Sequence, residues 1–146
     1  MDIIRARPEH LELAREAIDQ LHGRTPPPDR ILRAFLANDS SYMILGVVDG
    51  RVVGSLTGYA LDQYWSYREF FLYEINVAEE QHNRGIGTRL VQAFADEARL
   101  RGAGNVWVLT NRSNVAATRL YAKCGFTPSP ASDESMMTLT FAAGRE

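Results

Sequence analysis

The stretch Asn114-Val115-Ala116-Ala117-Thr118-Arg119-Leu120-Tyr121-Ala122-Lys123-Cys124-Gly125-Phe126 reads as one helix with both of its ends written into it. Asn114 is a residue type that accepts a hydrogen bond from the first helical turn. Ala117, Leu120, Tyr121 and Cys124 share one face at helical spacing. Gly125 stands where the chain leaves the helix, and glycine tolerates the left-handed turn that ends one. Taken alone, this is an ordinary capped amphipathic helix. A short strand at residues 106–110 precedes it, and before that lies a longer helix carrying Ile86, Leu90, Val91, Phe94 and Ala98 and ending near Gly102.

The longer helix opens on Gln81-His82-Asn83-Arg84-Gly85-Ile86-Gly87-Thr88, after an apolar strand at residues 70–77 and a polar loop at residues 78–84. Glycines there let the backbone approach a ligand closely. The first helical turn leaves N–H groups without partners, and the helix dipole favours an anion at that end. Together these make a pyrophosphate cradle, to which His82 and Arg84 can add side chains. The plain alternative is a strand–loop–helix connection that happens to contain glycine. The loop lacks the third glycine of a dinucleotide fingerprint and the Gly-Lys-Ser/Thr of a phosphate-binding loop, so neither nucleotide fold fits.

Working outward, residues 3–6 form a short first strand and Pro8 suits the first turn of a helix. Leu11, Leu13, Ala14, Ala17, Ile18 and Leu21 continue that helix to Gly23. Thr25-Pro26-Pro27-Pro28 is a stiff connector. A second helix carries Ile31, Leu32, Phe35 and Leu36. Residues 42–48 and 52–61 are strands joined by the hairpin signal Asp49-Gly50. Residues 62–68 form a loop with Tyr64, Trp65 and Tyr67, and residues 136–141 a closing strand. Strands interleaved with helices in 146 residues predict one α/β domain over residues 1–146 with a mixed sheet.

A net charge of −2 argues against a nucleic-acid partner, which needs a basic face. No apolar run approaches a membrane span or a signal peptide. The single cysteine, Cys124, cannot form an internal disulfide, and a cytoplasmic location is the simpler reading. No histidine, cysteine and carboxylate cluster has zinc spacing, so no metal is expected. His10 and His22 are expected to face solvent.

The Asn114–Phe126 pattern and the Gly85-x-Gly87 loop upstream of it resemble the GNAT superfamily of N-acetyltransferases, over roughly residues 47–141. The resemblance implies a mixed sheet of about six to seven strands flanked by about four helices. It also implies acetyl-coenzyme A as co-substrate, a small-molecule amine as partner, and leaves a homodimer open. Ile75, Asn76 and Val77 would then offer backbone contacts to pantetheine. His82, Asn83, Arg84, Gly85, Ile86, Gly87 and Thr88 would hold the pyrophosphate, and Asn114, Ala117 and Tyr121 would lie along the coenzyme beside the thioester. The family carries Gln or Arg where this chain has His82. Because the cradle is mainly backbone amides, that departure is expected to alter affinity rather than abolish binding.

Acetyl transfer needs a neutral amine. An alkyl ammonium with a pKa of ~10 is neutral in only about one molecule per thousand at pH 7, a cost of ~4 kcal/mol. Glu74 is the candidate general base, because it interrupts the apolar strand Phe70-Phe71-Leu72-Tyr73-Glu74-Ile75-Asn76-Val77, where a carboxylate must be paired, hydrated or set in a cleft. The alternative is a carboxylate that pairs with a basic neighbour and only supports the strand. Tyr121, by the family resemblance, would protonate the departing thiolate; the alternative is a core tyrosine. Transfer is expected to be direct, with Cys124 as packing.

Tyr59, Tyr73 and Glu74, with the Gly85 loop following, are similar to the type I aminoglycoside 3-N-acetyltransferases. That likeness implies the 3-amine of an aminoglycoside antibiotic as acceptor and makes the chain a resistance enzyme. Such a polycation calls for several carboxylates, and Asp62, Glu69, Glu74, Asp133 and Glu134 are the candidates; all but Glu74 also read as solvated loop charges. A polyamine or other small metabolic amine is the second acceptor class. A non-catalytic acyl-coenzyme A-binding module is the reading from another class, and Glu74 and Tyr121 argue against it.

Overall fold

The structure is a computed structural model that describes residues 1–64, 67–128 and 137–140. One sheet holds β1 (Asp2–Arg5), β2 (Ser41–Val48), β3 (Arg51–Leu61), β4 (Glu69–Val77) and β5 (Asn105–Val108), side by side in chain order. The helices are α1 (Leu11–Gln20), α2 (Asp29–Ala37), α3 (Ile86–Leu100) and α4 (Val115–Lys123). The first three strand pairings are antiparallel. β5 runs parallel to β4, because α3 intervenes as a crossover between them.

Both faces of the sheet are covered, which is why β2 reads as a continuous apolar run rather than an alternation. Tyr42 and Ile44 point into one core with Leu90, Val91 and Phe94 of α3. Met43 and Leu45 point the other way, into a second core with Ala14 and Ala17 of α1 and Leu32 and Leu36 of α2. The β2–β3 turn forms as expected: Asp49 and Gly50 both take positive φ, 49° and 76°, the geometry whose twist matches the flanking strands.

Two irregularities in β4 shape the molecule. Thr57 pairs with Glu74 and the next residue, Gly58, pairs with Leu72, so Tyr73 is an extra residue without a partner on β3. Such a bulge bends the strand and re-aims its side chains. The second irregularity lies on the other edge. β5 pairs with Glu69, Phe70, Phe71 and Leu72 only, so residues 73–77 of β4 have no strand beside them on that side among the described residues.

The sheet corrects the expected strand number: among the described residues it has five strands, not six to seven. The sixth was placed at residues 136–141. Residues 137–140 carry no strand, with Met137 90% and Leu139 79% exposed, while residues 136 and 141 lie outside the described residues. An alternating pattern makes a strand only where a neighbour accepts its ladder and its apolar face, and these four residues have neither among the described residues. β5 likewise ends at Val108, short of the expected residue 110, with Leu109 62% exposed.

Leu90 is fully buried between α3 and the sheet. Leu90→Ala is expected to lower unfolding free energy by about 2–5 kcal/mol in a urea titration. A change below about 1 kcal/mol would mean that α3 can settle onto the vacated space.

Candidate active site

The end of α1 delivers two side chains to the sheet. The chain leaves the helix through hydrogen bonds from His22 N to Ala17 O (3.1 Å) and Arg24 N to Ile18 O (3.1 Å), with Gly23 between them at φ 62°. His22 and Arg24 are thereby laid over one face of β3 and β4, where Ser55 pairs with Asn76 and Thr57 with Glu74.

His22 corrects the expectation of a solvent-facing residue. Its side chain is 2% exposed. Nε2 lies 3.0 Å from Ser55 Oγ, and Nδ1 lies 2.5 Å from Glu74 Oε1 and 2.8 Å from Asn76 Nδ2. A proton on Nδ1 is donated to Glu74, whereas a bare Nδ1 accepts from the Asn76 amide. Ser55 is fully buried, and its hydroxyl finds its partner in His22, as a buried polar group must. His10 also departs from expectation: it is half-buried, and its Nδ1 accepts from Arg7 N at 3.0 Å, closing the short 3₁₀ turn before α1.

Arg24 grips Glu74 from the open side, with Nη1 donating to Oε1 at 2.7 Å and Nη2 to Oε2 at 3.0 Å. That hydrogen-bonded guanidinium holds the Glu74 carboxyl below its ordinary range, overcoming the opposing effect of partial burial. Burial pushes the His22 imidazole below its ordinary value, and outweighs the pull of Glu74 in the other direction. At neutral pH the group therefore comprises a carboxylate, a guanidinium and a neutral imidazole, with no net charge.

Beside this group lies a cavity of about 290 Å³. Glu74, Tyr73, Thr57 and Tyr59 form its floor, and Phe35 and Leu32 of α2 stand over it. The bulge explains how Tyr73 and Glu74, adjacent in sequence, both line it. Tyr59, Tyr73 and Glu74 are thus brought together as expected of acceptor-site residues. Asp62 and Glu69 are not among the residues that line the cavity. Asp62 accepts from Arg68 Nε at 2.5 Å, and Glu69 accepts from Gln63 Nε2 at 2.9 Å. Asp133 and Glu134 lie outside the described residues. The sequence reading passed over Arg24, Phe35 and Ser55. The available signal was the position of His22-Gly23-Arg24, directly between a helix end and a proline-rich connector.

The opposite edge of β4 carries the other half of the site. Ala78 N donates to Val53 O at 2.9 Å. By the alternation of an antiparallel ladder, the backbone groups of Asn76 and Glu74 face β3, and those of Ile75 and Val77 face the gap left by β5. Of the three residues expected to offer backbone contacts, Ile75 and Val77 can do so. Val77 O already accepts from His82 Nε2 at 2.9 Å, so the His82 ring is folded back onto the strand. Asn83 and Gly85 take left-handed φ of 63° and 77°, and α3 starts immediately after Gly85 with no side-chain cap. The N–H groups of Ile86, Gly87 and Thr88 precede the first bond to a loop carbonyl, Arg89 N to Gly85 O at 3.1 Å. They form an open donor cluster at the positive end of a 15-residue helix, which fits a pyrophosphate. Arg84 is exposed, with Nη1 3.5 Å from Gln81 Oε1.

Asn114 caps α4 as expected, its Oδ1 accepting from Ala117 N at 3.1 Å. Ala117 and Leu120 pack against the α3-side core, and Tyr121 is buried within it, 5.6 Å from the Phe126 ring. Burial raises the Tyr121 phenol above its ordinary value. Gly87 permits α4 to come close: a Cβ there would stand 3.2 Å from Leu120 Cδ2.

The described residues contain no group of three or more metal-ligating side chains and no helix long and apolar enough to cross a membrane.

A profile of the acetyltransferase (GNAT) family matches residues 8–126. The chain is 37% identical over 75 residues to streptothricin acetyltransferase of Streptomyces lavendulae, covering 50% of this chain and 39% of that protein. It is 32% identical over 96 residues to the probable N-acetyltransferase camello of Xenopus tropicalis, covering 66% and 43%. The matches thus span less than half of these relatives. Among solved structures, a probable acetyltransferase superposes with a TM-score of 0.80 at 24% identity, covering 97% of this chain and 99% of that one. An aminoglycoside acetyltransferase from an uncultured soil metagenomic sample, in complex with sisomicin, gives 0.76 at 22% identity, covering 98% and 96%. An aminoglycoside N-acetyltransferase in complex with CoA gives 0.76 at 21%, covering 97% and 95%. At these identities the likeness is one of fold.

The lowered His22 value sets a sign for stability against pH. The unfolded chain protonates His22 at about its ordinary 6.5, while the folded chain resists, so falling pH through that value favours unfolding. The urea midpoint of the wild type is expected to fall more between pH 7.5 and pH 5.5 than that of His22→Gln. Parallel declines would show that His22 binds protons equally in both states.

Proposed function

Since the chain belongs to the acetyltransferase (GNAT) family, we propose that it transfers the acetyl group of acetyl-coenzyme A directly to a primary amine seated in the cavity beside Glu74. The co-substrate is the one the family uses. The observation that carries the reading is the position of Glu74. It faces the cavity from the same strand whose free edge, at Ile75 and Val77, leads to the open N–H groups of α3.

The acceptor arrives as an ammonium. Glu74 takes its proton, but a carboxylate held low by Arg24 is a weak base on its own. His22 Nδ1 lies 2.5 Å from the same oxygen, so when Nδ1 is bare a proton placed on Oε1 is shared with it. Glu74 is the catalytic residue in this account and His22 a positioning residue. The free amine forms its bond to the acetyl carbon as the carbon–sulfur bond breaks. An N–H at Ile75 or Val77 stabilises the carbonyl oxygen. The leaving thiolate takes the Tyr121 proton, which burial keeps on the phenol until then, and the second proton that the nitrogen sheds as the amide forms restores the phenol. Cys124 has no nucleophilic part, because burial raises its thiol and disfavours the thiolate.

The aminoglycoside 3-amine is the narrower acceptor that the sequence resemblance implies, and a polyamine is its rival. Both are polycations that draw on several carboxylates. Among the described lining residues Glu74 is the one carboxylate, and Arg24 already neutralises it. The cavity therefore favours an acceptor smaller and less charged than either. The coenzyme-binding module reading leaves the Glu74 group and the adjoining cavity without a use.

The test is thiol release from acetyl-coenzyme A with gentamicin, spermidine, simple monoamines and no acceptor. Acceptor-dependent release is expected. Release with none of them, while coenzyme A still binds, would overturn the reading in favour of a binding module. Glu74→Gln is expected to lower turnover by about 10²-fold or more and flatten its pH dependence. Tyr121→Phe is expected to lower turnover while leaving coenzyme A affinity as it was. A loss of affinity alone would make Tyr121 a packing residue.

A further inference from the structure

The walls of the cavity carry information about the acceptor beyond its amine. Ile18 of α1, Leu32 of α2 and Met43 of β2 close one side. Three rings close another: Phe35 meets Tyr59 edge-to-face at 6.1 Å and 88°, and Tyr59 meets Tyr73 at 6.0 Å and 80°. The described lining residues that can carry charge, Glu74, Arg24 and His22, are tied to one another, and Thr25, Thr57 and the two tyrosine hydroxyls add neutral polar groups. We infer that the acceptor is a monoamine carrying one apolar ring, as in an arylalkylamine, with the ring against Phe35, Tyr59 and Leu32 and the amino group at Glu74. This rests on the acetyl-transfer reading of the site.

Size and charge lead to the same class. An apolar protein cavity of about 150 Å³ takes a benzene ring. A cavity of about 290 Å³ has room for the ring and a short tether. A further ring extends the edge-to-face series already present, an arrangement that aromatic quadrupoles favour. One ammonium finds Glu74, and the tyrosine faces suit its charge as well. A second positive charge would have to be desolvated against Phe35 and Leu32, and no described lining residue supplies a counter-charge there. A bare alkylamine, at the other extreme, leaves the apolar volume unused.

The experiment compares kcat/KM for 2-phenylethylamine, methylamine, spermidine and gentamicin, using the whole chain and acetyl-coenzyme A. The ring-bearing amine is expected to exceed methylamine by roughly 10- to 150-fold, the factor that burying one such ring supplies, and to exceed both polycations. Ile31 lines the cavity and is 36% exposed, so Ile31→Trp narrows it with little demand on the core. That variant is expected to depress 2-phenylethylamine turnover more than methylamine turnover. Spermidine or gentamicin as the best acceptor, or methylamine equal to 2-phenylethylamine, would overturn the inference while acetyl transfer stands. Turnover of no amine would overturn the acetyl-transfer reading, and the inference with it.

Discussion

Among the described residues, β4 has a strand on both sides for only about half of its length. β5 accompanies Glu69 to Leu72 and then stops, and one residue later the bulge at Tyr73 shifts the register against β3. The two events fall together and have complementary effects. On one side they leave the Ile75 backbone groups and the Val77 N–H outside the ladder, while His82 takes the Val77 carbonyl. On the other they turn Tyr73 and Glu74 into the same cavity. A complete ladder would offer neither a backbone edge nor a side-chain floor at this point. The helices hold the opening in place: α3 packs across β2, β3 and β4, and Leu120 of α4 meets the first turn of α3 at Gly87.

The Arg24–Glu74–His22 group is better understood as a setter of charge than as a source of stability. Arg24 is 61% exposed at its side chain, so its ion pair contributes about 1 kcal/mol or less. The buried half of the group matters more for specificity. Ser55, Asn76 and Glu74 meet at His22, whose Nε2 contacts Ser55 and whose Nδ1 serves Glu74 when protonated and Asn76 when bare. Removing it would leave the buried Ser55 hydroxyl without its partner, a penalty of about 1–3 kcal/mol. The same arrangement leaves the Arg24–Glu74–His22 group without net charge at neutral pH.

Much of the proposed coenzyme side was legible because its signals are local. Asn114 as a cap, Gly125 as a stop and Gly85 ahead of α3 each depend on a few neighbouring residues. The Asp49-Gly50 hairpin was legible for the same reason. The acceptor side was legible only in Glu74, Tyr59 and Tyr73. His22 looks like a polar residue after a helix, and its burial depends on Ser55, 33 positions away, and on Glu74 and Asn76, more than 50 away. The bulge leaves no trace in the hydrophobic pattern of residues 70–77, because both Tyr73 and Glu74 are amphipathic or polar. The expected sixth strand shows the converse failure: residues 137–140 alternate acceptably but pair with nothing described. Asp62 and Glu69 read as candidate charges for a polycation, yet their partners Arg68 and Gln63 are only six residues away and tie them across the β3–β4 connection.

The central claim is that the free edge of β4 and the first turn of α3 form one coenzyme site. Amide hydrogen exchange, followed residue by residue with and without coenzyme A, tests it most directly. In the free protein the amides of Ile75 and Val77 are expected to exchange faster than that of Asn76, which faces β3. Coenzyme A is expected to slow Ile75 or Val77 together with Ile86, Gly87 and Thr88, and to leave Asn76 as it was. Protection of Ile75 and Val77 already in the free protein, or a coenzyme effect confined to other parts of the chain, would contradict the account.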